Sequence, residues 1–352
     1  MKVVCDFSVT SAPHRPLAPW YAPWVSPISA TAPGLVLDFA AGIYGSDGNS
    51  GPLSSNVTLT RTTDATRIDS TGALEVLGSD QPRIDHDPLT LAPKGLLLET
   101  SRTNFFVQSD TPANQSVTVN AVAHVLTFYG TGSITRSGAH SATLVGSGAF
   151  PARTALFFTP TAGSLTLTLS GNVTAPQLEE GDVASSYIPS GASATLRSED
   201  VASVNFGAWF NSTQGTLVFN GSLDSAAAND RIIEIDDGST ASRLSILWNT
   251  VLSKPQFQVW DGNVLQAAIA PSGNSISLGS HFRLAVAYAP NDFAVSMNGG
   301  AVATDTVGTM PTGLTTLRLG RSVWGAQGLM IAEGVTHYPA RLSDAEITAL
   351  SA

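Results

Sequence analysis

The chain is expected to be mainly β, built as tandem antiparallel β-sandwiches behind an extended N-terminal arm. Three observations carry this expectation. Charged residues make up only 12% of the 352 residues, against about a quarter in an ordinary globular domain. Ala, Gly, Ser, Thr and Asn take their place, a mixture that suits short strands and many turns. Apolar and polar residues alternate in several places, most plainly in Leu165-Thr166-Leu167-Thr168-Leu169-Ser170, as in a strand with one face buried. Short runs of this kind recur at near-regular spacing with Gly and Pro between them, the pattern of a sandwich or jelly roll.

Residues 1–34 read as an arm. Pro13, Pro16, Pro19, Pro23, Pro27 and Pro33 deny it a regular helix or a central strand. Trp20, Tyr21 and Trp24 lie inside it. Free linkers are poor in aromatics, so these rings are expected to pack on the chain's own body or on a neighbouring subunit, as an attachment to a particle or an oligomer.

Residues 35–104 are expected to form a β-rich connecting module. Leu35–Phe39 and Val57–Arg61 have strand patterns, and Ala65–Asp69 and Thr71–Glu75 read as two strands about a glycine-containing turn. Residues 105–200 hold a second β unit, with strands expected at 124–130, 141–144, 154–159 and 165–170. Residues 201–352 are expected to form a larger sandwich from 215–221, 231–238, 243–248, 256–263, 281–288 and 293–300. Ser343, with Glu346 three residues on, is a capping box for one short terminal helix.

Pro82–Asn104, PRIDHDPLTLAPKGLLLETSRTN, gathers Arg83, Asp85, His86, Asp87, Lys94, Glu99 and Arg102 into a charge-poor chain. This segment resembles one that recurs in phage tail and virion-surface proteins, where it precedes small glycan-binding sandwiches. The VTLTRTTDATRID run before it and the Gln177-Leu178-Glu179 to Ser186-Tyr187-Ile188-Pro189 ending resemble the same proteins, the latter the close of a carbohydrate-binding-like jelly roll. His281–Tyr288, Asn298-Gly299-Gly300 and Tyr338–Ile347 resemble the laminin-G-like, concanavalin-A-type fold. The resemblance implies a short carbohydrate-binding-like sandwich over 105–200 and a laminin-G/concanavalin-A-like one over 201–352.

Net charge is −10 and no basic stretch tracks phosphates, so nucleic acid is not an expected partner. The acidic balance speaks against docking on an anionic membrane. No apolar run approaches the roughly 18 residues of a membrane span. Cys5 is the only cysteine, which leaves no pair for a disulfide or a cysteine zinc site. The first residues lack a long apolar stretch, so synthesis in the bacterial cytoplasm without a signal peptide is the expectation.

Asp85-His86-Asp87 suggests a metal or an acid–base centre. In an extended segment, however, Asp85 and Asp87 share one side and His86 the other, and Pro88 favours a turn. The preferred reading is a clip in which the carboxylates pair with Arg83, Arg102 or backbone N–H groups. No G-x-S-x-G, Walker A or H-E-x-x-H motif is present, so no catalytic residue is assigned. Asp236 and Asp237 are candidate calcium ligands, with a plain hairpin turn the preferred alternative because no EF-hand spacing surrounds them.

A sugar reader stacks apolar ring faces on aromatics and meets hydroxyls with planar polar groups. Trp248, Trp260, Asp261, Asn263, Arg321 and Trp324 are the candidates. The expected function is a non-catalytic virion-surface adhesin or receptor-binding spike. Its expected partners are host cell-surface polysaccharide, other virion proteins and sister copies in a homo-oligomer. A purely structural virion protein and a glycan-cleaving tailspike are the alternatives, the latter marked by a carboxylate pair facing a groove.

Overall fold

The computed structural model describes residues 29–352 apart from 226, 228, 274 and 326. Trp20, Tyr21 and Trp24, with the rest of the arm to residue 28, lie outside the described residues.

Two antiparallel sheets make the larger sandwich. One runs Ala303–Asp305, Asp292–Met297, His281–Ala289, Gly215–Ser225, Leu329–Tyr338, Leu35–Asp38, Ile43–Ser46, Asn49–Ser50, with Pro93–Leu98 also paired to Leu329–Tyr338 and Ile84–His86 to Pro93–Leu98. The other runs Val264–Ile269, Lys254–Asp261, Arg243–Asn249, Arg231–Asp236, Thr316–Leu319, Val201–Asn205, Thr58–Thr60. Alternation turns Leu217, Phe219, Leu284 and Val286 of the first sheet towards Ile233, Ile235, Leu244, Ile246, Phe257 and Val259 of the second, and these form one buried core. On the first sheet's outer face, Val218, Ala285, Ala287 and Ala294 pack with Ile347 and Leu350 of the helix Asp344–Leu350. Ser343 and Glu346 close that helix's capping box, as its sequence predicts.

The smaller sandwich packs the sheet Gln115–Val119, Gly163–Ser170, Ser133–Gly138, Ala142–Val145 on the sheet Thr154–Phe158, His124–Tyr129, Thr174–Glu180. Leu165 and Leu167 enter its core beside Phe106, Leu126, Phe128, Ile134 and Leu178, while Thr168 stays exposed. The chain enters and leaves this unit through two paired strands, Arg102–Asn104 and Thr195–Arg197, with Arg102 opposite Arg197 and Asn104 opposite Thr195. The smaller sandwich is thus inserted into the larger one.

Residues 35–104 differ from the separate connecting module expected. Leu35–Asp38 pairs with Leu329–Tyr338, Pro93–Leu98 with the same strand, and Thr58–Thr60 with Val201–Asn205. The physical reason is burial. Every residue of Leu35–Asp38 is buried, with Leu35 and Leu37 in the main core and Val36 against the helix side. A strand apolar on both faces needs cover on both, and the layers of 201–352 supply it. The hairpin Ala65–Ile68 with Leu74–Leu77 stands as a sheet of its own.

The Pro82–Asn104 segment lies at the junction of the two sandwiches. Arg83 Nη1 donates to Glu99 Oε2 at 2.6 Å and its Nη2 to Asp200. Arg197 Nη1 lies 3.3 Å from Glu99 and Arg61 Nη1 3.0 Å from Asp200. Ser186 N and Oγ donate to the two Glu99 oxygens at 2.8 and 2.6 Å. Arg61, Arg83, Glu99, Arg197 and Asp200 are all fully buried. Segments distant in sequence are locked by one charged cluster, a costly arrangement unless every member is partnered.

Of the partners expected for the clip, Asp85 and Asp87 take backbone N–H groups, while Arg83 takes Glu99 and Asp200. Asp85 accepts from Ile68 N at 2.8 Å and stands 3.8 Å from Lys94. Asp87 accepts from Leu89 N and Thr90 N at 2.9 and 2.8 Å, capping the turn after Pro88. Arg102 Nε lies 4.0 Å from Glu179.

Candidate functional site

The outer face of the seven-stranded sheet gathers the polar residues of its middle strands. Along Lys254–Asp261, Phe257 and Val259 point into the core, so Gln256, Gln258 and Trp260 face outward and are half-buried. The neighbouring strand places Arg243 opposite Trp260 and Ser245 opposite Gln258, and the next places Asp236 opposite Arg243. Trp260 Nε1 donates to Gln258 Oε1 at 3.0 Å, Gln258 Nε2 to Gln256 Oε1 at 3.0 Å, and Asn249 Nδ2 to the same Gln256 oxygen at 3.1 Å. A line of side-chain amides therefore leads along the strand to the indole.

Residues 320–325 carry the second tryptophan over this face. Val323 N donates to Glu234 Oε1 at 2.8 Å, pinning the loop to the sheet. The Trp324 ring then meets Arg231 Cζ at 4.8 Å and Arg243 Cζ at 5.2 Å, while Arg243 Cζ lies 4.5 Å from the Trp260 ring. Arg243 thus contacts both indoles, each contact worth about 0.5–2 kcal/mol depending on desolvation. Burial pulls its guanidinium below the usual range. Glu234 anchors the ladder through Arg231 Nε at 2.7 Å and Ser245 Oγ at 3.1 Å. Trp324 remains 49% exposed, an open aromatic surface over the buried Arg231 and Arg243.

The structure sorts the sequence candidates. Trp260 and Trp324 come together through Arg243. Trp248, 4% exposed, belongs to the core, because its register puts it on the inner face with Leu244 and Ile246. Asp261 accepts from Thr309 Oγ1 at 2.9 Å, and Asn263 follows Gly262 in a left-handed hairpin turn (φ +68° and +56°), a structural place for both. Arg321 turns to Glu199 at 2.8 Å.

The calcium reading of Asp236 and Asp237 is corrected. Asp236 is buried and held by Arg318 Nε and Nη2 at 2.6 and 3.2 Å, while Asp237 accepts from Ser239 N and Oγ. Among the described residues no three His, Cys, Asp or Glu side chains are grouped to hold a metal ion. Arg231, Arg243, Gln256 and Gln258 were not singled out from the sequence. Their signal is the polar half of each strand's alternation, which acquires meaning only once the register aligns the strands.

A second concave feature lies at the junction. A cavity of about 360 Å³ is walled by the 65–77 hairpin, by Asp85, Lys94 and Leu97, by Tyr129, Arg153 and 183–187 of the smaller sandwich, and by Asp224, Leu329 and Ile331 of the larger. Asp85 and Asp224 both face it, and burial raises the carboxyls of both above the usual range.

No family model matches the chain. No curated protein matches it. Among solved structures, the CBM40 of a Ruminococcus gnavus IT-sialidase bound to α2,3 sialyllactose is similar over 40% of this chain and 83% of its own, at 16% identity and a TM-score of 0.36. Domain 4 of AbnA, a GH43 extracellular arabinanase from Geobacillus stearothermophilus in complex with arabinotriose, is similar over 49% of this chain and 83% of its own, at 12% identity and TM-score 0.34. The NanB sialidase of Streptococcus pneumoniae is similar over 42% of this chain but 26% of its own, at 12% identity and TM-score 0.34.

Proposed function

We propose that this chain is a non-catalytic glycan-binding protein, and more specifically an adhesin or receptor-binding spike on a phage or phage-like particle that recognises host surface polysaccharide. The observation that carries the glycan reading is the Trp260–Arg243–Trp324 ladder, with its half-exposed indole and adjoining Gln256 and Gln258. A pyranose ring offers an apolar face to an indole and a rim of hydroxyls to planar amides. The rigid sheet beneath, and Glu234 behind the arginines, hold these groups ready without an ordering cost on binding. The virion context rests on the resemblance of Pro82–Asn104 and the Ser186–Pro189 ending to phage tail and surface proteins. Several copies on one particle would raise avidity over a single weak site, a role the proline- and tryptophan-containing arm suits by joining the chain to sister subunits or to other virion proteins.

The test is an array of bacterial surface polysaccharides probed with the labelled chain and with Trp324→Ala. Binding to at least one polysaccharide is expected, weakened about tenfold or more in the variant, as for truncation of an aromatic anchor. No binding to any polysaccharide or to bacterial cells would instead favour a purely structural virion protein. Release of reducing ends would favour a glycan-cleaving spike.

A further inference from the structure

We propose that the cavity between the two sandwiches is a second carbohydrate site, which takes the terminal one or two rings of a glycan end-on between Asp85, Asp224 and Arg153. The inference deepens the glycan reading and rests on it for the class of ligand. It uses residues of a different part of the fold.

About 360 Å³ falls in the range of small-molecule sites. Ile68, Leu74, Leu97, Leu329 and Ile331 supply apolar surface, and Asp85, Asp224, Lys94 and Arg153 supply planar or charged polar groups around it. This is the pairing a sugar ring requires, an apolar wall for one face and strong acceptors and donors for the hydroxyl rim.

The polar groups also have capacity to spare. Asp224 receives one long hydrogen bond, from Ser222 Oγ at 3.4 Å, and among the described residues it has no cation within ion-pair distance. Asp85 uses one oxygen for Ile68 N and meets Lys94 only at 3.8 Å with the other. Arg153 donates to Ser185 O at 2.5 Å and Thr127 Oγ1 at 2.7 Å, yet among the described residues no carboxylate lies within ion-pair distance and its Nε has no partner. Buried polar groups are ordinarily satisfied. Here the buried Asp85, the half-buried Asp224 and Arg153, whose buried Nε has no partner, face one space, and burial raises both carboxyls. Hydroxyls of a bound sugar would supply the missing donors and acceptors.

The walls come from seven separate stretches of chain, and Glu99, which lines the cavity, is also the carboxylate shared by Arg83, Arg197 and Ser186. The buried ion cluster thereby holds the walls in register, the support a binding site needs from the residues behind it.

The experiment is saturation-transfer difference NMR on the full chain, titrated with the methyl glycosides of glucose, galactose, mannose and N-acetylglucosamine. At least one probe is expected to take up saturation. Measured in the Trp324→Ala background, which removes the sheet-face site, Val183→Trp, a loop substitution that fills the cavity, should abolish the signal, and Asp224→Asn should weaken binding about tenfold, the loss of a charge-assisted hydrogen bond. Trp324→Ala should retain it. Melting transitions of the variants like that of the parent establish that they fold. Absence of transfer from all four probes overturns the cavity site, as does a signal that survives both Val183→Trp and Asp224→Asn. A signal lost only in Trp324→Ala also overturns it, while leaving the sheet-face reading intact. Polysaccharide binding by the array separates failure of the glycan reading as a whole.

Discussion

Glu99→Gln removes one charge from the centre of the molecule and almost no volume. In the parent chain the cluster holds three guanidiniums, of Arg61, Arg83 and Arg197, and two carboxylates, of Glu99 and Asp200. Glu99 is the shared counterion of Arg83 at 2.6 Å and Arg197 at 3.3 Å, both fully buried. Replacing it leaves three buried cations with one anion. Removing one partner of a buried pair costs about 3–5 kcal/mol; Arg83 and Arg197 both lose Glu99 here but keep Asp200 within ion-pair distance, so a loss within that range is expected. The retained amide oxygen can still accept from Ser186, which keeps the loss from exceeding it. Urea denaturation followed by tryptophan fluorescence reads the difference. A loss below about 1 kcal/mol would refute the reasoning, because only a water-accessible cluster is that tolerant.

The pH dependence gives an independent check of the same cluster. Burial alone would raise the Glu99 carboxyl, but the Arg197 and Arg83 guanidiniums and the Ser186 hydrogen bonds hold it well below the usual range. Its contribution to stability is therefore complete above the unfolded carboxylate value of about 4.3 and is lost as pH falls below it, by up to about 1.4 kcal/mol per pH unit. Glu99→Gln should remove that one proton from the acid limb of the stability profile. An unchanged acid limb would contradict the pairing.

Two further outcomes follow from other parts of the fold. His337 is buried against Tyr288 Oη at 2.8 Å, and burial pulls its imidazole down to about 3. Between about pH 6.5 and that value the unfolded chain takes a proton the folded chain refuses, so stability falls with falling pH at up to about 1.4 kcal/mol per unit. An NMR titration should find this ring neutral at pH 5, and a protonated ring there would overturn the assignment. Gly95 has φ +122°, and a Cβ there would lie 2.2 Å from the Ala332 carbonyl oxygen across the strand pair. Gly95→Ala should cost more than about 1 kcal/mol by the same urea assay, and a neutral effect would mean that the Pro93–Leu98 strand is not seated on Leu329–Tyr338.

Much of the architecture is legible in the sequence. Strict alternation in Leu165–Ser170 identified a half-buried strand because the side-chain period is a local property of extended backbone. Ser343 and Glu346 announced a helix start because a capping box closes within one turn. The ladder was half legible, since Trp260 and Trp324 stood out as aromatics beside polar residues. The sequence could not show that Arg243 lies between them, because that depends on which strands are neighbours and in what register.

Local pattern alone determined that this is a β-sandwich protein with a charge-poor surface, a capped terminal helix and an unusual knot of charges near residues 83–102. Tertiary structure decided the rest. It placed Trp248 in the core and Trp324 in the open, because one register step moves a side chain from one face of a sheet to the other. It also distributed residues 35–104 through the sheets of 201–352, since strands apolar on both faces are completed by whichever layers can cover them. It gave Asp85-His86-Asp87 three separate tasks: one side chain on a cavity wall, one beside the Ile68 carbonyl and one capping a turn. Long-range pairing of Glu99 and Asp200 with Arg83, Arg197 and Arg61 made the charged knot a junction. No local rule predicts such a pairing, because its partners are up to 139 residues apart in the chain.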